Sequence, residues 1–159
     1  MKLVLLSVGR PRRLFADAIA EYEARAGRYF RFEAADVREE PLRREGDAER
    51  VMGEEGKRLL ARIPERYHLV ALHRGGEEWS SERLARYLGD ASLGRIEGVA
   101  FVIGGALGLA PEVLQRADVQ LALSTFTLPH ELARLVLAEQ IYRAGTILRG
   151  EPYHKGRSS

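Results

Sequence analysis

Three short segments of this sequence gather residue types that could do chemistry. The first, Phe101-Val102-Ile103-Gly104-Gly105-Ala106-Leu107-Gly108-Leu109, is an apolar run that passes directly into a glycine-rich turn. Gly104, Gly105 and Gly108 would let backbone N–H groups approach a ligand closely at the carboxyl end of a strand, where open α/β sheets bind ligands. The spacing Gly-Gly-x-x-Gly does not fit G-x-G-x-x-G, and no Gly-Lys-Ser/Thr follows, so neither a dinucleotide fingerprint nor a P-loop is supported. An ordinary tight strand-to-helix turn would use the same glycines.

The second segment, Leu123-Ser124-Thr125-Phe126-Thr127-Leu128-Pro129-His130, combines hydroxyls, a proline-restricted backbone and a following helix start, which together make a polar cradle. Ser124 and Thr127 could equally be turn and capping residues. No G-x-S-x-G elbow surrounds Ser124, and His130-Glu131 lacks a second histidine four residues on, so hydrolase and zincin readings fail. With four histidines and no cysteine, metal catalysis has no support and no metal is expected. The third segment is the tail from Arg149 to Arg157, where cations alternate with Tyr153 and His154, the residue types that contact phosphates and stack on unpaired bases. A frayed terminus is the plain alternative. Arg143 stands four after Glu139, so it is either half of a helix ion pair or a phosphate contact.

These segments need a scaffold, and the chain alternates short apolar runs with longer amphipathic stretches, the pattern of an α/β fold with a largely parallel sheet. Strands are expected near Lys2 to Val8, Tyr29 to Val37, His68 to His73, Val99 to Gly104 and Val119 to Leu123. Phe15, Ala18, Ile19 and Tyr22 mark a first helix ending near Gly27. Asp47 is expected to cap a second helix running to about Arg62, Ser80 or Ser81 a third, and Pro111 to open a short fourth. The last helix, Pro129 to about Leu148, carries Leu132, Leu135, Val136, Leu137, Ile141 and Tyr142 around most of its circumference, as a helix buried on two sides does. A second copy covering one side, and hence a homodimer, is the expectation; a central helix enclosed within one protomer is the alternative.

Composition bounds the remaining choices. The chain has 159 residues, 45% hydrophobic and 30% charged, the size and balance of one folded domain over residues 1–159. No apolar run is long enough to span a bilayer, and Met1 to Val8 lacks the apolar length and cleavage site of a signal peptide, so a cytoplasmic protein without membrane contact is expected. The net charge is only +2, which excludes a general polycation. From residue 132 onward, however, five cations stand against two carboxylates. The cations comprise 22 Arg and 3 Lys with no Asn or Cys, as in a heat-adapted source or a GC-rich genome.

Taken together, Ile103-Gly104-Gly105-x-x-Gly108-Leu109, Thr127-Leu128-Pro129-His130 with Ala138-Glu139-Gln140-Ile141-Tyr142-Arg143-Ala144, and Pro152-Tyr153-His154-Lys155 resemble the bacterial large-subunit rRNA methyltransferases of the SPOUT family. The resemblance covers essentially the whole chain, including Lys2-Leu3 and Val8-Gly9 at its start. It implies an α/β fold, a mainly parallel sheet flanked by helices, with a C-terminal trefoil knot over approximately residues 99–148, a tail over 149–159, and action as a homodimer. It further implies S-adenosyl-L-methionine as cofactor and N3 of the pseudouridine at position 1915, in helix 69 of 23S rRNA within the ribosome, as target. Leu72, Gly104, Gly105, Gly108, Leu123, Ser124, Thr125, Phe126, Thr127 and Leu128 would form the cofactor pocket. His130, Arg143, Tyr153 and His154 match positions tied to substrate binding or turnover, with His154 expected to accept the N3 proton and Arg143 to favour the resulting anion. Ala106-Leu107 departs from the family pattern and bears on the shape of the pocket rim. A non-catalytic RNA- or nucleotide-binding dimer on the same scaffold is the alternative.

Overall fold

A computed structural model describes residues 1–155, with side chains through Tyr153. The expected alternation forms one five-stranded sheet: β1 (Lys2–Val8), β2 (Arg31–Val37), β3 (Tyr67–Glu78), β4 (Gly98–Ile103) and β5 (Val119–Ala122), in the order β2-β1-β4-β3-β5 with every pairing parallel. The connecting helices are α1 (Arg13–Ala26), α2 (Ala48–Leu60), α3 (Ser81–Leu93), α4 (Pro111–Arg116) and α5 (His130–Leu148), followed by a 3₁₀ turn over Pro152–Lys155. Parallel strands covered on both faces are apolar without alternation, and the central β4, Gly-Val-Ala-Phe-Val-Ile, is buried at every position.

Two apolar layers result. Leu3, Leu5, Val70 and Phe101 pack on Leu84 and Leu88 of α3 and Leu137 and Ile141 of α5. On the opposite face Leu6, Val8, Ala71 and Val102 pack on Leu59 of α2 and Val113 of α4. Fully buried side chains such as Phe101 and Leu137 each stabilise the fold by about 1.5–3 kcal/mol relative to exposure.

Several local expectations are met and others corrected. Ser80 caps α3, its Oγ accepting from the Arg83 N–H at 3.1 Å, and Pro111 opens α4. Asp47 precedes α2 without capping it: its carboxylate accepts instead from Arg50 Nε at 2.8 Å and from the Arg43 N–H at 3.1 Å, which folds the charged loop back on the helix. β2 starts at Arg31 because the Tyr29 and Phe30 N–H groups close the end of α1 on the Ala26 carbonyl. β3 continues well beyond His73, because a bulge expels His73 to Gly76 and pairing resumes at Glu77.

The apolar circumference of α5 has its main cause within the chain. Besides the sheet, α5 meets α1 through Tyr142, whose ring centroid is 6.3 Å from that of Tyr22, and meets α3 through a 2.5 Å hydrogen bond from Ser81 Oγ to Gln140 Oε1. What stays open is a strip of half-buried Leu132, Leu135 and Val136. The pattern on the helix is therefore accounted for largely by a central position in one protomer, and by itself does not require a second copy.

Candidate active site

The carboxyl ends of β3, β4 and β5 enclose an open pocket of about 150 Å³. Leu72 enters it from β3, Gly104, Gly105 and Gly108 from the turn after β4, and Leu123, Ser124, Phe126, Thr127 and Leu128 from the segment after β5. Residues far apart in the chain and assigned to a cofactor pocket from sequence thus share one cavity. Thr125 is exposed on the same segment and does not line it.

The glycine turn holds its shape for steric reasons. Gly108 has φ of +86°, a region that favours glycine, and its N–H donates to the Gly105 carbonyl at 3.0 Å. A Cβ on Gly104 would lie 2.6 Å from the Gly108 carbonyl carbon, so the turn closes only because Gly104 has no side chain. The result is exposed backbone beside an apolar floor of Ile103, Leu121 and Ala133. The segment after β5 is pinned by its hydroxyls: Ser124 Oγ accepts from the Phe126 N–H at 2.9 Å, and Thr127 Oγ1 accepts from Arg74 Nη1 at 2.7 Å.

Behind the turn stands Glu55 of α2, 5% exposed, with Oε2 accepting from the Glu40 N–H at 3.1 Å and Oε1 without a hydrogen-bond partner. Oε1 faces Gly105 closely enough that a Cβ there would be 3.2 Å away. Burial pushes this carboxyl above its usual range, against the opposing Glu40 N–H.

His130 lines the pocket from the first turn of α5, and the next residue anchors that turn. Buried Glu131 accepts from the Arg12 N–H at 2.5 Å and from Arg12 Nε at 2.6 Å. Burial disfavours its charge, but the two Arg12 bonds outweigh burial and hold the carboxyl below its ordinary value. One turn on, buried Arg134 donates to Glu23 Oε2 at 2.8 Å, to Ser7 Oγ at 2.9 Å and to Asp36, tying α5 to α1, β1 and β2.

Arg143 and Tyr153 do not reach this pocket. Arg143 lies thirteen positions beyond His130 on the same helix, roughly 20 Å along its axis. There Glu139 Oε2 accepts from Arg143 Nη2 and from the Tyr153 hydroxyl, both at 3.0 Å. The Tyr153 ring packs tilted against Tyr142, centroids 4.7 Å apart, and lies 4.8 Å under the Arg143 guanidinium. Burial and the Glu139 carboxylate push the Tyr153 hydroxyl up to about 12. The ion pair of Arg143 with Glu139 is present, and the tail is folded onto α5 through Tyr153. The side chains of His154 and Lys155, and all of Arg157, lie outside the described residues.

Sequence reasoning missed His73 and Arg74, which line the pocket from the β3 bulge, and Glu139, which organises Arg143 and Tyr153. The signal for the first pair was Gly75-Gly76 directly after a strand, where glycines mark bulges. No carboxylate lines the pocket, and no cluster of three metal-capable side chains occurs among the described residues.

The family model described as a predicted SPOUT methyltransferase matches residues 1–154. The chain is 49% identical over 156 residues to the ribosomal RNA large subunit methyltransferase H of Gemmatimonas aurantiaca, covering 98% of this chain and 100% of the relative. To the protein of the same name from Anaeromyxobacter sp. (strain K) it is 51% identical over 160 residues, covering 98% and 100%. A solved probable methylase family protein from Haemophilus influenzae Rd KW20 shares the fold at TM-score 0.52 and 10% identity, covering 96% of this chain and 69% of that one. With the family model spanning nearly the whole length and relatives near half identity, the chain belongs to the SPOUT methyltransferase family.

Proposed function

We propose that this chain transfers a methyl group from S-adenosyl-L-methionine to 23S rRNA, at N3 of the helix 69 pseudouridine at position 1915. The observation that carries this reading is the single pocket uniting Leu72, the Gly104–Gly108 turn and Leu123 to Leu128, in a chain whose relatives are named ribosomal RNA large subunit methyltransferase H. The pocket suits the cofactor: its floor is apolar, and the glycine turn presents backbone where a side chain would collide. S-adenosyl-L-methionine, when bound, supplies a methyl group already activated on a sulfonium.

The work left to the protein is alignment and exclusion of water. The turn and the Ser124–Leu128 segment hold the cofactor, and His130 shapes the entrance from the start of α5. The target nitrogen is a weakly acidic imide N–H, and its proton must leave. His154, or a water it holds, accepts that proton, and Arg143 stabilises the anion that develops. Tyr153, protonated throughout the working range, positions the tail against Glu139 and Arg143.

Within one chain the His130 pocket and the Arg143–Tyr153 cluster are too far apart to act on one nucleotide. A homodimer resolves this, with the half-buried strip Leu132, Leu135 and Val136 as its seam and the tail of one protomer reaching the pocket of the other. The knot over residues 99–148, the ribosome as substrate and a cytoplasmic location belong to the same reading. Mass-spectrometric mapping of rRNA methylation in a deletion strain, with and without this chain, tests it: methylation at that pseudouridine returns on complementation. Calorimetry with S-adenosylhomocysteine separates an enzyme from a non-catalytic RNA-binding dimer, since no binding at millimolar concentration would overturn the cofactor assignment.

A further inference from the structure

The bulge in β3 places one cation where the rRNA methyltransferase reading has so far given it no role. Leu72 pairs with Leu121 of β5, and so does Glu77, so His73, Arg74, Gly75 and Gly76 are looped out of the ladder at the carboxyl edge of the sheet. The loop can rejoin β5 only through glycine, since a Cβ on Gly76 would lie 2.4 Å from the Gln120 carbonyl oxygen. Its outermost cation, Arg74, lines the mouth of the pocket and is exposed.

The guanidinium is braced but not neutralised. Its Nη1 donates to Thr127 Oγ1 at 2.7 Å, a neutral hydroxyl on the opposite wall, and no carboxylate lines the pocket among the described residues. His73 and His130 line the same pocket. A guanidinium with a fixed orientation and unused N–H groups is suited to an oxyanion. Two are at hand: the carboxylate of the cofactor's methionine end and a phosphodiester of the RNA. Arg74 is exposed at the rim, whereas Gly104 and the apolar floor lie deeper, and this favours the RNA.

We propose that Arg74 binds a phosphodiester of the substrate RNA beside the target nucleotide, with the β3 bulge as its mount and Thr127 as its brace. The inference rests on the rRNA methyltransferase reading, and its test is arranged to fail separately from it. Affinity for ribosomes from a strain lacking this protein is measured across a salt series for the wild type, Arg74→Gln and Arg74→Lys, alongside calorimetry with S-adenosylhomocysteine. Arg74→Gln is expected to weaken ribosome binding about tenfold and to reduce the slope of log affinity against log salt by about one. Arg74→Lys keeps the slope, and in Arg74→Gln S-adenosylhomocysteine affinity falls less than ribosome affinity does, because there only the Thr127 brace is lost. Unchanged ribosome affinity and slope in Arg74→Gln would overturn the proposal. So would weakened S-adenosylhomocysteine binding with unchanged ribosome binding, which assigns the arginine to the cofactor's carboxylate. Methyl transfer by the wild type is read on its own: its absence overturns the rRNA methyltransferase reading, while the salt slope still decides Arg74.

Discussion

The Tyr153 hydroxyl donates to Glu139 Oε2 at 3.0 Å, fastening the tail to the helix that also carries Arg143. A hydrogen bond to a charged acceptor contributes about 1.5–3 kcal/mol, and Tyr153→Phe removes it while keeping the ring packed against Tyr142. The tail of the variant should open more often, so proteolysis between Leu148 and Tyr153 should accelerate about tenfold with the melting temperature nearly unchanged. Equal cleavage rates would mean that ring packing alone holds the tail.

The glycine turn gives a second prediction. A Cβ on Gly104 would meet the Gly108 carbonyl carbon at 2.6 Å, and backbone cannot yield as a side chain can. Gly104→Ala should open the turn, weakening S-adenosylhomocysteine binding at least about tenfold by calorimetry while α-helical circular dichroism is retained. An unaltered dissociation constant would remove the turn from the pocket.

The sequence marked the strands and the glycine turn because both depend on local pattern: a continuous apolar run for β4, and glycines where a Cβ would collide. It missed what depends on long-range packing. The expected strand ends at His73 because nothing in Arg74-Gly75-Gly76 shows that pairing resumes at Glu77. Glu55 belongs to no motif, yet α2 turns it inward against Gly105. The wheel of α5 revealed burial all round but not what does the burying, and α1 and α3 supply much of it.

Glu55 makes stability depend on pH in a definite direction. Burial raises its pKa in the folded state, so the folded protein holds this proton more tightly than the unfolded chain. The stabilisation is complete below the unfolded carboxyl pKa of about 4.3 and is lost as pH rises through the raised folded value. Glu55→Gln removes the titration. The variant should match the wild type in melting temperature near about pH 4 and exceed it at about pH 8. A constant difference across that range would show that Glu55 does not titrate between the two states.

Arg134 joins α5 to Glu23, Ser7 and Asp36. Removing the cation leaves two carboxylates without their shared partner in a partly buried site, which costs more than the pair itself contributed. Arg134→Ala should lose about 2–3 kcal/mol in denaturant unfolding, a value reduced from that of fully buried pairs because Glu23 and Asp36 retain some exposure. Adding Asp36→Asn should recover part of the loss. No recovery would argue that packing of the side-chain stem, not charge, is what the substitution removes.

If active sites form between protomers, subunit mixing will reveal it. Gly104→Ala impairs the pocket and Arg143→Ala removes a cation near the tail, so each homodimer should be inactive for a different reason. Denatured together in equal amounts and refolded, half of the dimers pair one of each. Every such dimer has one site in which an intact pocket meets the intact Arg143 and Tyr153 of the other chain, so about one quarter of the wild-type sites should return. If both halves of a site come from one chain, mixing restores nothing, because every site carries one defect. Methyl transfer to ribosomes by the mixture, compared with either variant alone, distinguishes the two arrangements.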